Sequence, residues 1–480
     1  MTYKKLTQKF ALILFIMILF VVVTLISYDP LHLYHKSWFS KESRLHGNMR
    51  LQSAGIINNY TFDSMIVGTS VLKCTSSLYA SEKLGGTFTN LSANGSNLYE
   101  RNLIMKHALR KKHIKNIIYS FDTGLNSNLK KNNKSLPLDK FDYLYDANPF
   151  NDLYAYWNNK FLTCASTFSK SSECIGGNRG LVRPKKWFKS IHKQNKEISG
   201  IESWVGKDGR GRNVYSRIRK QQKKPLTKEQ YEKALKDTYS IIDTQLIDTI
   251  ETNIDTSFHV VFPPYSRLQY ALWAKYNPLK YILYKKTIKY LVEASQLHDN
   301  MYVYLLDDLD YLDNLSNYRD MRHYNTEMND KIVDYVHQEK YIRTDDALDV
   351  LLNEIDLKNK SYTNLDDDIE KIFDAYKFRY NVTLKNNATS TTIKGWALSY
   401  KVANVELHLN GKKIKSMHLR KREDIFKKYP AYKQLRSGFV FKNVKIKSKK
   451  DKLSLIFKNK SRVIKKISIK NEQGNIHEKY

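Results

Sequence analysis

The sequence predicts an α/β protein: a doubly wound parallel sheet, preceded by an N-terminal transmembrane helix and followed by a C-terminal β-sandwich. Three observations predict this. Short strand-like bursts alternate with helical stretches over most of the chain. An apolar run stands near the N-terminus. Alternating short strands with Asn/Gly turns take over after about residue 376.

The apolar run is Phe10 to Ile26, preceded by Lys4, Lys5 and Lys9. Its length is at the short end for a membrane helix, and Tyr28 extends it into the interface. No small-x-small cleavage signal follows, because the chain continues SYDPLHLYHK. The run therefore reads as an uncleaved signal anchor over 1–28, with the lysines cytoplasmic and everything after Ser27 exported. A cleaved signal peptide is the alternative. Cys164 and Cys174 flank a polar loop and are candidates for a disulfide in an oxidising compartment, which leaves Cys74 as a free thiol.

The strand-like bursts are 64–70, 86–96, 114–122, 257–266 and 301–307, and a closing helix is expected over 325–338. They assign 29–345 to one α/β domain. The interval 125–255 is too long for a simple loop and reads as a cap beside the mouth of the site, with an amphipathic helix near 226–250. An acidic helical connector is expected over 346–376 and a basic β-sandwich over 377–480.

The formal net charge is +33, which favours anionic partners. Residues 411–470 hold 22 Lys and Arg against 3 Asp and Glu, so the excess is concentrated in the tail. Export makes nucleic acid an unsuitable partner and leaves anionic envelope polymers. No CxxC, HExxH or dense His/Cys cluster is present, so neither a metal nor another cofactor is expected.

In a parallel α/β sheet, functional groups gather at the carboxyl ends of the strands. Ser70 in MIVGTS falls there, with Gly68 allowing a sharp bend and the Ser70 backbone N–H near a developing oxyanion. A serine hydroxyl needs a base within hydrogen-bond reach. His323 in NYRDMRHYN is the best candidate, and Asp320 is spaced to hold its other ring nitrogen. Gly95, after the second strand, is a candidate second oxyanion donor, and Asn126 in DTGLNSN a third. Each residue also has an ordinary reading. Asp320 would then pair with Arg319 or Arg322, His323 would pack before a helix capped by Asn325, and Gly95 would be a plain turn glycine. His259, inside a strand, reads as a packed residue.

Gly68-Thr69-Ser70, Gly95 and Asp320-x-x-His323 resemble the first, second and last blocks of the SGNH (GDSL-like) hydrolase superfamily. Thr69 stands where many members carry Asp, and SFDTGLNSN replaces the usual Gly-x-Asn-Asp block. GTS together with a membrane anchor is similar to extracytoplasmic branches that move acyl groups on surface polymers, such as the alginate O-acetylation proteins; YLYDANPFND and FPPYS are also of that kind. GWAL, RKRED and YPAYKQLRSGFVF resemble a β-sandwich appended to bacterial glycan-active enzymes. The resemblance implies an SGNH-like α/β/α fold and a Ser70–His323–Asp320 triad. It also implies a serine esterase or O-acyltransferase acting on a cell-surface polysaccharide, with a membrane acyl-donor protein as an expected partner. The competing expectation is a non-catalytic envelope protein that binds glycan or serves as a scaffold on the same fold. A lipase-like enzyme is less favoured, since no long apolar substrate surface is evident beyond the anchor.

Overall fold

The computed structural model describes residues 3–38, 41, 44–122, 137–178, 225–361, 378–387, 389–399, 402–429, 434–446, 448, 451–459, 462–469 and 474–477. The described residues fall into two compact units, one α/β and one built mainly of β-strands with a short helix at Glu423–Lys428.

The α/β unit is built on a 5-stranded parallel sheet. Its strands are β1 (Ser64–Val67), β2 (Phe88–Asn90), β3 (Asn116–Ser120), β4 (Ser257–Phe262) and β5 (Met301–Leu305), in the spatial order β2-β1-β3-β4-β5. Every residue of β1 is buried, as a central parallel strand requires. The chain leaves β1 for β2 on one side and returns to β3 on the other. That reversal opens a crevice at the carboxyl ends of β1 and β3, where ligands bind in sheets of this kind.

Helices α2 (Met49–Asn59), α3 (Ser77–Leu84) and α4 (Leu98–Lys111) accompany the first strands. Farther along, α5 (Asn159–Ser166) precedes α6 (Lys228–Ile242), and α7 (Arg267–Tyr276) and α8 (Pro278–Ser295) join β4 to β5. Helix α9 (Thr326–His337) is the expected closing helix, capped by the Asn325 side chain, which accepts from Glu327 N–H at 3.1 Å. The acidic stretch after it forms α10 (Asp345–Ser361), which packs on α7 and α8. Its Asp356 accepts from Tyr281 Oη and Lys285 Nζ, both at 2.7 Å. Residues 362–376, the rest of the expected connector, lie outside the described residues, as do 125–136 and 179–224 of the expected cap.

The apolar N-terminal run forms α1 (Tyr3–Tyr28), with a mean hydropathy of 3.1 over its most apolar window. A helix of this length and composition serves as a signal sequence or as an anchor. Its end is built into the α/β unit. Leu25, Tyr28, Asp29, Leu31 and His32 are all buried. Asp29 and His32 both adopt left-handed backbone, with φ of 32° and 57°. The Asp29 carboxylate supports that turn by accepting the N–H groups of Leu33, Tyr34 and His35 at 2.8–2.9 Å and the Tyr156 hydroxyl. Gln52 and Asn59 of α2 donate to the carbonyls of Leu31 and His32, each at 2.7 Å. A Cβ at Gly55 would lie 2.1 Å from the Leu31 carbonyl oxygen, so glycine is what lets α2 approach this turn. Nearby, Cys164 on α5 and Cys174 form a disulfide, and Cys74 is a buried thiol outside any disulfide.

The C-terminal unit pairs a 4-stranded with a 5-stranded antiparallel sheet. The first sheet runs β9-β8-β12-β13, from β8 (Asn404–Leu409), β9 (Lys412–His418), β12 (Leu453–Asn459) and β13 (Arg462–Ile469). The second runs β10-β11-β7-β6-β14, from β6 (Arg379–Asn386), β7 (Thr391–Leu398), β10 (Arg420–Lys421), β11 (Arg436–Val444) and β14 (Gly474–His477). Val382, Ile393, Phe439 and Phe441 of one sheet share a core with Val405, Leu407, Leu455 and Phe457 of the other. Alternate residues point inward, as in a sandwich. Among the clustered cations Glu406 is a local counter-charge. It meets Lys458 Nζ at 2.8 Å, His408 Nε2 at 3.1 Å and Lys413 Nζ at 3.1 Å. These partners, Lys458 first, hold its carboxyl down at about 2.

Two outcomes follow for stability. Gly55→Ala forces a Cβ against backbone and should destabilise the α/β unit by about 2–3 kcal/mol in thermal unfolding. Because the Glu406 carboxyl is depressed on folding, its contribution is complete above the ordinary value of 4.5 and is lost as pH falls through about 2. Acid titration of Glu406→Gln should therefore lack a loss, on the order of 1 kcal/mol, that the wild type shows in that window.

Candidate active site

The end of β1 is shaped by how closely it meets the end of β3. A Cβ on Gly68 would sit 2.5 Å from Ser120 Oγ, so only glycine permits this approach. Ser120 Oγ accepts the Thr69 N–H at 3.3 Å and donates to Asp122 at 3.0 Å. The Thr69 hydroxyl also bonds to Asp122. Asp122 is buried, and burial pushes its carboxyl up against the opposing pull of Arg101. The Arg101 guanidinium is itself buried 3.6 Å from Asp122, lies against the Tyr119 ring and donates to the Ser120 carbonyl. An isolated buried charge is costly, so this pair with its shared hydrogen bonds forms a stiff base under the residues that follow β1.

Ser70 opens a turn running to Cys74, and α3 begins only at Ser77 behind an N-cap by Ser76. The turn is held from the β2 side. Asn90 Nδ2 donates to the carbonyls of Leu72 and Thr75, both at 2.9 Å. The Gly68 carbonyl accepts Ala93 N–H at 2.9 Å and Ser96 Oγ at 3.1 Å. These bonds place the Ala93–Ser96 loop beside the Ser70 turn. Gly95 in that loop is exposed, with φ 61° and no atom within 4 Å of where a Cβ would lie. Arg50 braces the loop by donating to the Asn94 carbonyl at 3.1 Å while pairing with Glu100 at 2.7 Å.

The second half of the site comes from the segment between β5 and α9. Tyr318 and Tyr324 form a bridge that closes a short loop, and Arg319 N–H donates to the His323 carbonyl at 2.7 Å. Ser266 ties this loop to the segment after β4 by donating both its N–H and its hydroxyl to Met321 O at 3.0 Å. Within the loop, Asp320 accepts the backbone N–H groups of Arg322 and His323 at 2.9 and 3.1 Å. Both Asp320 oxygens also lie 2.9 Å from His323 Nδ1. An ionised Asp320 only accepts, so Nδ1 carries the proton and Nε2 presents a lone pair. That lone pair meets Ser70 Oγ at 2.8 Å. The two halves are joined again through Thr75 Oγ1 to Asn329 at 2.7 Å and Tyr79 Oη to Asp334 at 2.6 Å, across α3 and α9.

The structure thus brings Ser70, His323 and Asp320 into one hydrogen-bonded chain and sets Gly95 on the neighbouring loop. Asn126 lies outside the described residues. His259 is packed, against Tyr302 and between Tyr304 Oη at 3.2 Å and Asn116 at 3.3 Å, and burial pushes its imidazole down to about 4. Among the described residues, no cluster of three or more His, Cys, Asp or Glu is arranged for a metal ion. A hydroxyl bonded to an imidazole that a carboxylate orients meets the geometric requirement for a base-activated nucleophile.

Sequence reasoning missed Asp122, Ser120 and Arg101, which support the site without lining up in any motif. The available signal was a carboxylate directly after the third strand, at a position where polar residues are functional or structural pairs. No protein-family model matches the chain, and no curated protein matches it either.

Gly68→Ala should move the turn off Ser120 and slow covalent modification of Ser70 by a fluorophosphonate about 100-fold, as a misplacement near 1 Å does. Adding Ser120→Ala removes the nearest atom and should recover part of that rate.

Proposed function

We propose that this protein is an exported, membrane-anchored serine O-acyltransferase or acyl esterase that acts on a cell-surface polysaccharide. The observation that carries the reading is the contact of Ser70 Oγ with His323 Nε2 at 2.8 Å, with Asp320 at 2.9 Å behind the imidazole. In this reading Ser70 Oγ attacks an ester carbonyl as its proton passes to His323 Nε2. Asp320 orients the ring and stabilises the imidazolium. The tetrahedral oxyanion forms beside the Ser70 N–H and the Gly95 loop. Collapse expels the alcohol, which takes the proton from His323, and leaves an acyl-serine. Water or a sugar hydroxyl then attacks that ester, with His323 again as base, and frees Ser70.

The anchor reading of α1 is supported by the burial of Leu25 together with Tyr28, Asp29 and His32 in the α/β unit, since a cut at the end of the apolar run would remove Leu25 from that packing. The Cys164–Cys174 disulfide suits an oxidising compartment. The resemblance to polysaccharide O-acetylation proteins suggests a glycan as substrate.

One observation favours a second, non-catalytic reading. The sandwich carries a groove of about 590 Å3 lined by Lys415, Arg420 and Lys442 with Met417, Val440 and Phe441. A cationic groove of this kind suits an anionic glycan held without turnover.

A fluorophosphonate should label the wild type and not Ser70→Ala, as read by mass spectrometry of the modified peptide. Absent labelling, or labelling that survives Ser70→Ala, would favour the binding-only reading. On a chromogenic acetate ester, Ser70→Ala and His323→Ala should each lower turnover by about 10⁴-fold or more. Loss of ester-linked acetyl from surface polysaccharide isolated from a Ser70→Ala strain would identify the substrate class.

A further inference from the structure

The loop that carries Asp320 and His323 also carries a cation whose side chain takes no part in the Ser70–His323–Asp320 chain of hydrogen bonds. Arg322, one residue before His323, lays its guanidinium 5.2 Å over the centre of the Tyr265 ring. Tyr265 is buried and packs edge-to-face on Trp273, with ring centres 6.1 Å apart. On Trp273 lies a second cation, with Lys280 Nζ 4.7 Å from the ring centre. Trp273 is fully buried. Two positive groups therefore rest on one rigid aromatic floor, which Ser266 ties to the catalytic loop.

The electrostatics of this pair are unusual in three respects. Among the described residues neither cation has a carboxylate within ion-pair distance. They also oppose each other, since burial first and then the charge of Arg322 push Lys280 down to about 8. The buried carboxylate of Asp122 feels the charge of Arg322 but is already paired with Arg101. Holding two mutually repelling, partly desolvated cations without a counter-ion costs stability. An aromatic floor offsets part of that cost through the ring quadrupoles. A bound anion would offset more, and guanidinium with ammonium is the usual pairing for carboxylate or phosphate oxygens.

We infer that Arg322 and Lys280 form an anion-binding subsite beside Ser70, which receives a carboxylate or phosphate group carried by the sugar. Assigning that anion to the substrate rests on the serine-ester reading; the binding itself does not. Arg322 is tied by one peptide bond to the base, so an anion held there fixes the sugar relative to His323 Nε2. Acyl transfer would then be directed to a hydroxyl at one distance from the charged substituent. The subsite would select a charged sugar over a neutral one by position rather than by total polymer charge.

The test measures binding without turnover, using the full chain in detergent micelles with Ser70→Ala. Saturation-transfer NMR titrations compare O-acetylated glucuronate, O-acetylated glucose 6-phosphate and O-acetylated glucose. An anionic sugar should bind about tenfold more tightly than the neutral one, and whichever of the two does so identifies the anion as carboxylate or phosphate. Adding Arg322→Gln and Lys280→Met should bring all three within about twofold of one another, while Arg322→Lys should retain most of the preference. Equal affinities in the Ser70→Ala protein would overturn the subsite, as would a preference that persists after both charges are removed. Fluorophosphonate labelling of wild-type Ser70 separates the two ideas. Labelling with no anion preference removes the subsite alone. Anion preference without labelling keeps the subsite and removes the ester chemistry.

Discussion

The α/β unit depends on one close approach, where the end of β1 meets the Ser120 side chain at the end of β3 with no side chain of its own in the way. Gly68 makes that contact possible against Ser120 Oγ. The contact then organises what surrounds it. Ser120 bridges the Thr69 backbone to Asp122, and Asp122 calls for Arg101 as a buried counter-charge. The Gly68 carbonyl, freed from the sheet, accepts two bonds from the loop after β2. Ser70 is thus held by three strands at the point where the order of the sheet reverses. A hydroxyl fixed in this way loses little further freedom on meeting His323, which is what preorganisation means physically.

The same economy of backbone contact recurs where α1 ends. Gly55 admits the Leu31 and His32 carbonyls against α2, and the Asp29 carboxylate gathers three successive N–H groups. All of these bonds are between polar groups, and together they bury the stretch that follows the apolar helix. The sandwich follows another logic. Its core is ordinary alternating packing, while its surface concentrates cations that Glu406 offsets only locally. The two aromatic-seated cations near the Asp320–His323 loop are a further, separate concentration of positive charge.

The legible parts of the fold were those encoded over short spans. The apolar bursts at 64–70, 114–122, 257–266 and 301–307 all contain strands, because a buried parallel strand is a run of apolar residues with no partner needed to recognise it. Asp320 and His323 were legible for a similar reason: three residues in one loop set the carboxylate–imidazole contact. Asp122 and Arg101 were not. They lie on separate elements, and as single letters each looks like an exposed charge. Nor did the sequence show that α10 packs against α7 and α8, since its acidic composition resembles a solvated connector.

By itself, the sequence determined the order of strands and helices, the apolar N-terminal helix, the basic sandwich and the candidacy of Ser70, Gly95, Asp320 and His323. These follow from periodicity, composition and local spacing, which act within a few residues of chain. Only the tertiary structure decided that Ser70 and His323, 253 positions apart, share a hydrogen bond. It alone seated Arg322 and Lys280 on a common aromatic floor and drew the residues after α1 into a folded core. Those are relations between distant segments, set by strand order and by which backbones can approach, and no local pattern records them.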